Sequence, residues 1–186
     1  MATLLTLPAI ETPNLVLREI RSADARYLAS FMTQPRYQKH IAHRLKDDAA
    51  VQEFVRRQVA VQGDMRRQVY HLASEEKLSG EVVGEGFIIV HPGQGCEIGW
   101  GVHPAMWSMG LGTEIGRALL GLGFERMKAQ NLWCKVMTAN GASAAVAKHI
   151  GMQEVGKHAD YAIGQGRFEP VIIFRITAAQ YFDLPY

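Results

Sequence analysis

Residues 102–120 read VHPAMWSMGLGTEIGRALL, and two glycines, Gly110 and Gly112, stand directly before an amphipathic helical pattern. No other stretch limits the fold as much. Glycines in such a place permit a positive φ or a close backbone approach. A helix start leaves N–H groups unpaired and carries partial positive charge, which suits an anion. The run just before, CEIGWGVH (Cys96–His103), reads as a strand. The unit is therefore strand, bulky loop, glycine turn and helix, and it poses the question of which phosphate the turn serves.

Two common phosphate loops do not fit. A nucleoside-triphosphate loop places Lys-Ser or Lys-Thr after its last glycine, whereas Gly112 is followed by Thr113 and Glu114. A dinucleotide fingerprint requires a third small residue where Ile115 stands, and an acidic residue about 20 positions on, where LWCKV lies.

The remaining chain supplies the framework. NLVLREI (Asn14–Ile20) alternates as a strand, and Ser22 is positioned to cap a helix running to Met32 and ended by Pro35. A second helix spans about Asp47 to Gln62, with Val51, Phe54, Val55 and Val59 at helical spacing and Gly63 as its stop. RQVYHLASE, EVVGEGFIIVH and CEIGWGVH are separated by short turns and form an antiparallel meander, in which Gly84 and Gly86 predict a bulge or a close contact. The helix after the glycine turn is expected to run from Gly112 to Ala129, with Ile115, Leu119, Leu122 and Met127 on its buried stripe. A strand (Leu132–Thr138) follows, then a helix capped near Asn140 or Ser143 and stopped by Gly151. Two strands, about Gln153–Ile163 and Phe168–Ile176, are joined by GQGR. No repeat or linker interrupts residues 1–186, so the chain reads as one α/β domain: a mixed, mostly antiparallel sheet of about seven strands flanked by about four helices.

The run CEIGWGVHPAMWSMGLGTEIGRALLGLGFE (Cys96–Glu125) resembles the acetyl-coenzyme A site of GNAT-family N-acetyltransferases. That family opens the helix with Q/R-x-x-G-x-G/A; here Gly110-Leu111-Gly112 supplies the glycines and Trp107 replaces the first residue. Trp107, with the opening TPNLVLREIRSADA, is similar to the branch of ribosomal-protein alanine N-acetyltransferases and their small-molecule relatives. NGASAAVAKHIGM occupies the position of the family's N-x-x-A/S segment. The resemblance implies a GNAT fold and acetyl transfer from acetyl-coenzyme A, used as co-substrate, to a primary amine on a protein N-terminus or a small molecule.

It also implies roles. Backbone N–H groups of Met109, Gly110, Leu111, Gly112 and Thr113 converge on the coenzyme pyrophosphate, aided by the helix dipole. Trp100, Gly101 and Val102 lie on a splayed strand whose free backbone groups pair with the pantetheine arm and stabilise the oxyanion. Glu97 is the leading acceptor for the amine proton and Glu85 a weaker alternative; the other reading of Glu97 is a strand carboxylate bonded to backbone or to a cation. Many relatives carry a tyrosine seven residues after the asparagine, where this chain has Ala147. Ser143 is then the donor to the departing sulfur, or only a helix cap, and Asn140 holds the pantetheine arm or caps the same helix.

Other features separate the function classes. Twenty Lys and Arg against eighteen Asp and Glu leave a formal charge of +2, which gives no footprint for nucleic acid or a membrane. Cys96 and Cys134 form no disulfide framework or zinc spacing and read as buried thiols. His40 and His43 lack a third ligand, so no metal is expected. Tyr70, His71, Tyr161 and Phe168 either line the acceptor side or pack in the core. The N-terminal MATLLTLPAI lacks the features of a signal peptide and no apolar run spans a bilayer, so a cytoplasmic monomer or homodimer is expected. The alternative function is a non-catalytic acyl-coenzyme A-binding module that senses or scaffolds.

Overall fold

The computed structural model describes residues 7–185, so the leader reading of residues 1–6 lies outside the described residues. Strands β1 (Ile10–Glu11), β2 (Leu15–Glu19), β3 (Val69–Glu76), β4 (Val82–His91), β5 (Gly95–Val102), β6 (Asn131–Met137), β7 (Gln153–Gly164) and β8 (Arg167–Thr177) form one sheet. Its order is β1-β2-β3-β4-β5-β6-β8-β7. Helices α1 (Ala25–Met32), α2 (Pro35–Gln38) and α3 (Asp48–Ala60) precede the meander. Helix α4 (Leu111–Gly121) links β5 to β6, α5 (Gly141–His149) follows β6, and α6 (Ala178–Phe182) follows β8. The mixed, mostly antiparallel sheet flanked by helices matches the expected fold class.

Two apolar clusters cover the two faces of the sheet. Leu15, Leu17, Ile88, Ile98, Leu132 and Phe174 pack with Ile115 and Leu119 of α4 on one face. On the other, Ile20, Ala73 and Val82 pack beneath Leu28, Phe31, Val51 and Val55 of α1 and α3. The alternation of each strand assigns its side chains to these two layers. Gly84 and Gly86 let α4 lie close: a Cβ on Gly86 would sit 2.9 Å from Ile115 Cγ2 and 3.3 Å from Leu119 Cδ1. Ser74 pairs with Gly84 but Glu75 with Val82, so Val83 is a bulge and both readings of the glycine pair hold.

Several local expectations are corrected. Ser22 does not cap α1; it lies in a 3₁₀ turn (Ser22–Asp24) in which Asp24 Oδ2 accepts from Arg21 N at 2.7 Å. Pro35 opens α2 at its first position, where a missing N–H costs nothing. The helix expected to reach Ala129 leaves the α form at Gly121 and continues as a π turn through Arg126, although Met127 is still fully buried. Among the described residues the sheet counts eight strands, in line with the expected about seven plus the two-residue β1, which carries no readable period.

One feature of the ladder positions the site. Every neighbouring pair is antiparallel except β5–β6, which is parallel and limited to Cys96↔Leu132 and Glu97↔Trp133. Strand β5 stays paired with β4 as far as Val102↔Gly84. Beyond Glu97, β5 and β6 diverge, opening a cleft at their C-terminal ends.

Candidate active site

Hydrogen-bond phase fixes what the cleft wall offers. His103 N donates to Val83 O at 2.8 Å, and the alternation of an antiparallel ladder then turns the backbone groups of Gly101 and Gly99 toward β4. Those of Trp100 and Val102 point to the open side. Val102 O is taken by Trp107 Nε1 at 2.8 Å, which ties the bulky loop to the end of β5. Trp100 N–H, Trp100 C=O and Val102 N–H are left on the cleft, whereas Gly101 serves β4.

The glycine turn opens beside this wall. Gly110 is the α4 N-cap at φ +81°, a left-handed conformation that favours glycine. Thr113 N donates to Gly110 O at 3.0 Å, so its N–H is already engaged. The N–H groups of Gly110, Leu111 and Gly112 have no partner among the described residues. A Cβ on Gly112 would lie 3.7 Å from Trp100 Cδ1, 3.9 Å from Val102 Cγ2 and 3.5 Å from Val146 Cγ2. The α4 start, the open part of β5 and α5 therefore converge on one point. Met109, at the tip, is solvent-exposed.

Helix α5 completes that side. Asn140 Oδ1 accepts from Ser143 N at 3.1 Å, so Asn140 is the cap. Ser143 is half-buried one turn before Val146, on the α5 face that meets Gly112. Ala147 is fully buried and packs in the core.

The acidic candidates, Glu97 on β5 and Glu85 on β4, lie on the opposite face of the sheet. Glu97 stands at the last parallel pair, where the sheet opens, with Lys135 Nζ at 2.9 Å and His91 Nε2 at 3.6 Å. Glu85 is 7% exposed; it accepts from Tyr37 Oη at 2.6 Å and meets His71 Nε2. Burial pushes the Glu85 carboxyl up, but the facing His71 and the Tyr37 hydrogen bond outweigh it and hold the carboxyl below its ordinary value. Burial, with the charge of Glu85 beside it, pushes the Tyr37 hydroxyl well above its usual range. Tyr37 Oη occupies the place where a side chain on Gly101 would begin.

Comparison with known proteins bears on the family and the fold. The family described as "Acetyltransferase (GNAT) domain" matches residues 14–153. The chain belongs to the GNAT acetyltransferase family. Similar solved structures include a GNAT-family acetyltransferase from Bacillus anthracis, with a TM-score of 0.80 and 19% identity over 92% of this chain and 99% of that one. A ribosomal L7/L12 alpha-N-protein acetyltransferase in complex with coenzyme A gives 0.79 and 15% over 91% and 98%. The ribosomal-protein-S5-alanine acetyltransferase of Vibrio fischeri gives 0.78 and 14% over 94% and 99%. At these identities the likeness extends to the fold.

Within this GNAT domain the remaining candidates divide. His71 lies on the face of the sheet covered by α1 and α3, between Phe54 and Phe87 at ring distances of 4.9 Å and 5.7 Å. Tyr70 faces the other way and is a core residue, 1% exposed. Tyr161 packs over Lys135 at 5.4 Å, and Phe168 is exposed on β8. Among the described residues no group of three His, Cys, Asp or Glu is placed to hold a metal ion, and no helix is long and apolar enough to cross a membrane. Cys96 and Cys134 are free and buried. Tyr37 and Lys135 were missed as site residues, because only the strand register and the course of α2 bring them to Glu85 and Glu97.

Proposed function

We propose that this GNAT domain transfers acetyl from acetyl-coenzyme A to a primary amine by direct attack on the thioester. The observation that carries this reading is Gly112. Its φ lies outside the left-handed region, and a methyl there would meet only ordinary contacts of 3.5 Å or more, so nothing inside the protein requires glycine. A ligand approaching the unpartnered N–H groups of Gly110, Leu111 and Gly112 supplies the reason, and a pyrophosphate suits both the N–H groups and the helix dipole. Trp100 and Val102 offer backbone groups to the pantetheine arm, and an N–H there donates to the thioester oxygen as charge develops. Glu97 takes the amine proton, directly or through water, with Lys135 fixing its side chain. Ser143 donates to the departing sulfur. Glu85 is the less suited base, since both its oxygens are held by Tyr37 and His71.

The acceptor is a protein N-terminus or a small amine. A second reading, a binding module without turnover, is favoured by the burial of Ala147 where relatives place a tyrosine acid. Free-thiol release from acetyl-coenzyme A across a panel of amines and peptides separates the two. Turnover with at least one acceptor supports the enzyme; tight coenzyme binding with no acetylation of any acceptor supports the module.

A further inference from the structure

The loop between α2 and α3 lacks regular structure and is nevertheless fastened. Gln38 Nε2 donates to Met32 O at 3.0 Å and to Leu45 O, and Arg44 Nε donates to Gln38 O at 3.0 Å. From the far end of the chain, Gln165 Oε1 accepts from Arg44 N at 3.1 Å and Gln165 Nε2 donates to Arg44 O at 3.3 Å. Arg167 Nη1 donates to Ile41 O at 3.1 Å. Tyr37, locked to Glu85, anchors the start of the same loop.

What this fastening positions is charge. Lys39, His40 and Arg44 line a cavity of about 270 Å³ with Met137, Thr138 and Glu169. Its place follows from the register: continued past Glu97↔Trp133, the parallel pairing would set Gly101 opposite Met137 and Val102 opposite Thr138. The cavity therefore stands at the mouth of the cleft. Met137 shares the face of Trp133 and Lys135, away from the core-facing Leu132, Cys134 and Val136 that pack with α4. Glu169 is engaged by Arg167 at 3.2 Å. Neither Lys39 Nζ nor the terminal guanidinium nitrogens of Arg44 have a hydrogen-bond or ion-pair partner among the described residues. Burial and the neighbouring Lys39 hold the His40 imidazole below its ordinary value, which leaves the positive charge to Lys39 and Arg44.

Two exposed cations without an ion-pair partner, on a fastened wall beside an anion that already has its own, suit an anionic group. We infer that the acceptor is a small amine carrying a carboxylate near its reacting nitrogen, and that Lys39 and Arg44 receive that carboxylate at the cleft mouth. The inference rests on the acetyltransferase reading. Coenzyme phosphates are the other source of such an anion, but the glycine turn that suits them lies with α4 on the opposite face.

The test compares acceptors that differ only by the carboxylate: alanine against ethylamine and lysine against cadaverine. In the wild type, kcat/KM is expected to be about tenfold or more higher for the carboxylated member, the scale of one charge-assisted contact. Lys39→Gln should collapse that ratio through KM, Lys39→Glu should invert it, and Lys39→Arg should keep it. A wild-type ratio of one or below overturns the inference while acetylation itself upholds the enzyme. So does a ratio that Lys39→Gln and Arg44→Gln leave unmoved, or a loss of coenzyme A affinity as large as the loss for the acceptor. Should no amine be acetylated, the enzyme reading falls, and calorimetric titration of N-acetylalanine against N-ethylacetamide into the coenzyme A-saturated protein decides the carboxylate seat. Selective binding of the acid, lost in Lys39→Gln, upholds it; equal binding of both overturns it.

Discussion

Gly110 and Gly112 share a turn but answer different demands. Gly110 adopts φ +81° with open space around it, so Gly110→Ala is expected to cost about 1 kcal/mol through backbone strain. Gly112 carries no such strain, and Gly112→Ala in the first turn of α4 should leave the thermal midpoint unchanged or raise it slightly. The same variant should raise the KM for acetyl-coenzyme A by about tenfold or more, because a methyl would stand where the ligand's phosphate approaches. Unchanged KM in a well-folded Gly112→Ala protein would remove the pyrophosphate seat from this turn. Glu97→Gln should lower kcat by about 100-fold, the usual range for a general base, with coenzyme affinity retained in a calorimetric titration. The glycine turn before α4 and the Asn140 cap of α5 were legible because each sits at a fixed spacing within a short motif. Lys135, which pairs with Glu97, was not, since only the parallel register of β5 and β6 brings the two together.

Elements with a period were the ones the sequence disclosed. Strands β2 to β8, together with α3, α4 and α5, were each legible from alternation, helical spacing or caps. Helix α2 escaped: four residues hold no period, and Pro35 suits a helix start as well as an end. Its importance comes from Tyr37, which crosses β5 at Gly101 to reach Glu85 on β4. Tyr37→Phe is expected to destabilise the fold by about 1–2 kcal/mol, since it strips a buried carboxylate of one hydrogen bond. Because Glu85 sits below its ordinary value when folded, its contribution is complete above the usual carboxylate range and is lost as pH falls through the lower folded value. Glu85→Gln should thus be less stable than wild type at neutral pH, with the gap in urea midpoints narrowing toward about pH 4 and below. A gap that stays constant with pH would show that the Glu85 charge is not what the network holds.

At the scale of the molecule, two antiparallel halves meet at a seam of two parallel pairs, and α4, which links the two seam strands, packs on β5 and β4 beside it. The order of elements disclosed both halves, but the seam's early divergence follows from strand twist and packing that no local pattern encodes. Burial raises the Cys96 thiol to about 11, and burial with the Glu97 charge raises that of Cys134 to about 12. A native sample near neutral pH should therefore show no fast reaction with an aromatic disulfide reagent, and both thiols should appear on unfolding. A prompt native reaction would contradict the packing around β5 and β6. The contact between the β7–β8 turn and the α2–α3 loop spans the greatest chain distance in the site, joining residues 121 and 126 positions apart. On the loop side it grips backbone alone: the carbonyls of Ile41 and Arg44 and the N–H of Arg44. Lys39, whose side chain takes no part in that grip, is consequently replaceable without loosening it. A substitution there changes the charge at the mouth of the cleft while the glycine turn and α4 stand unaltered on the opposite face of the sheet.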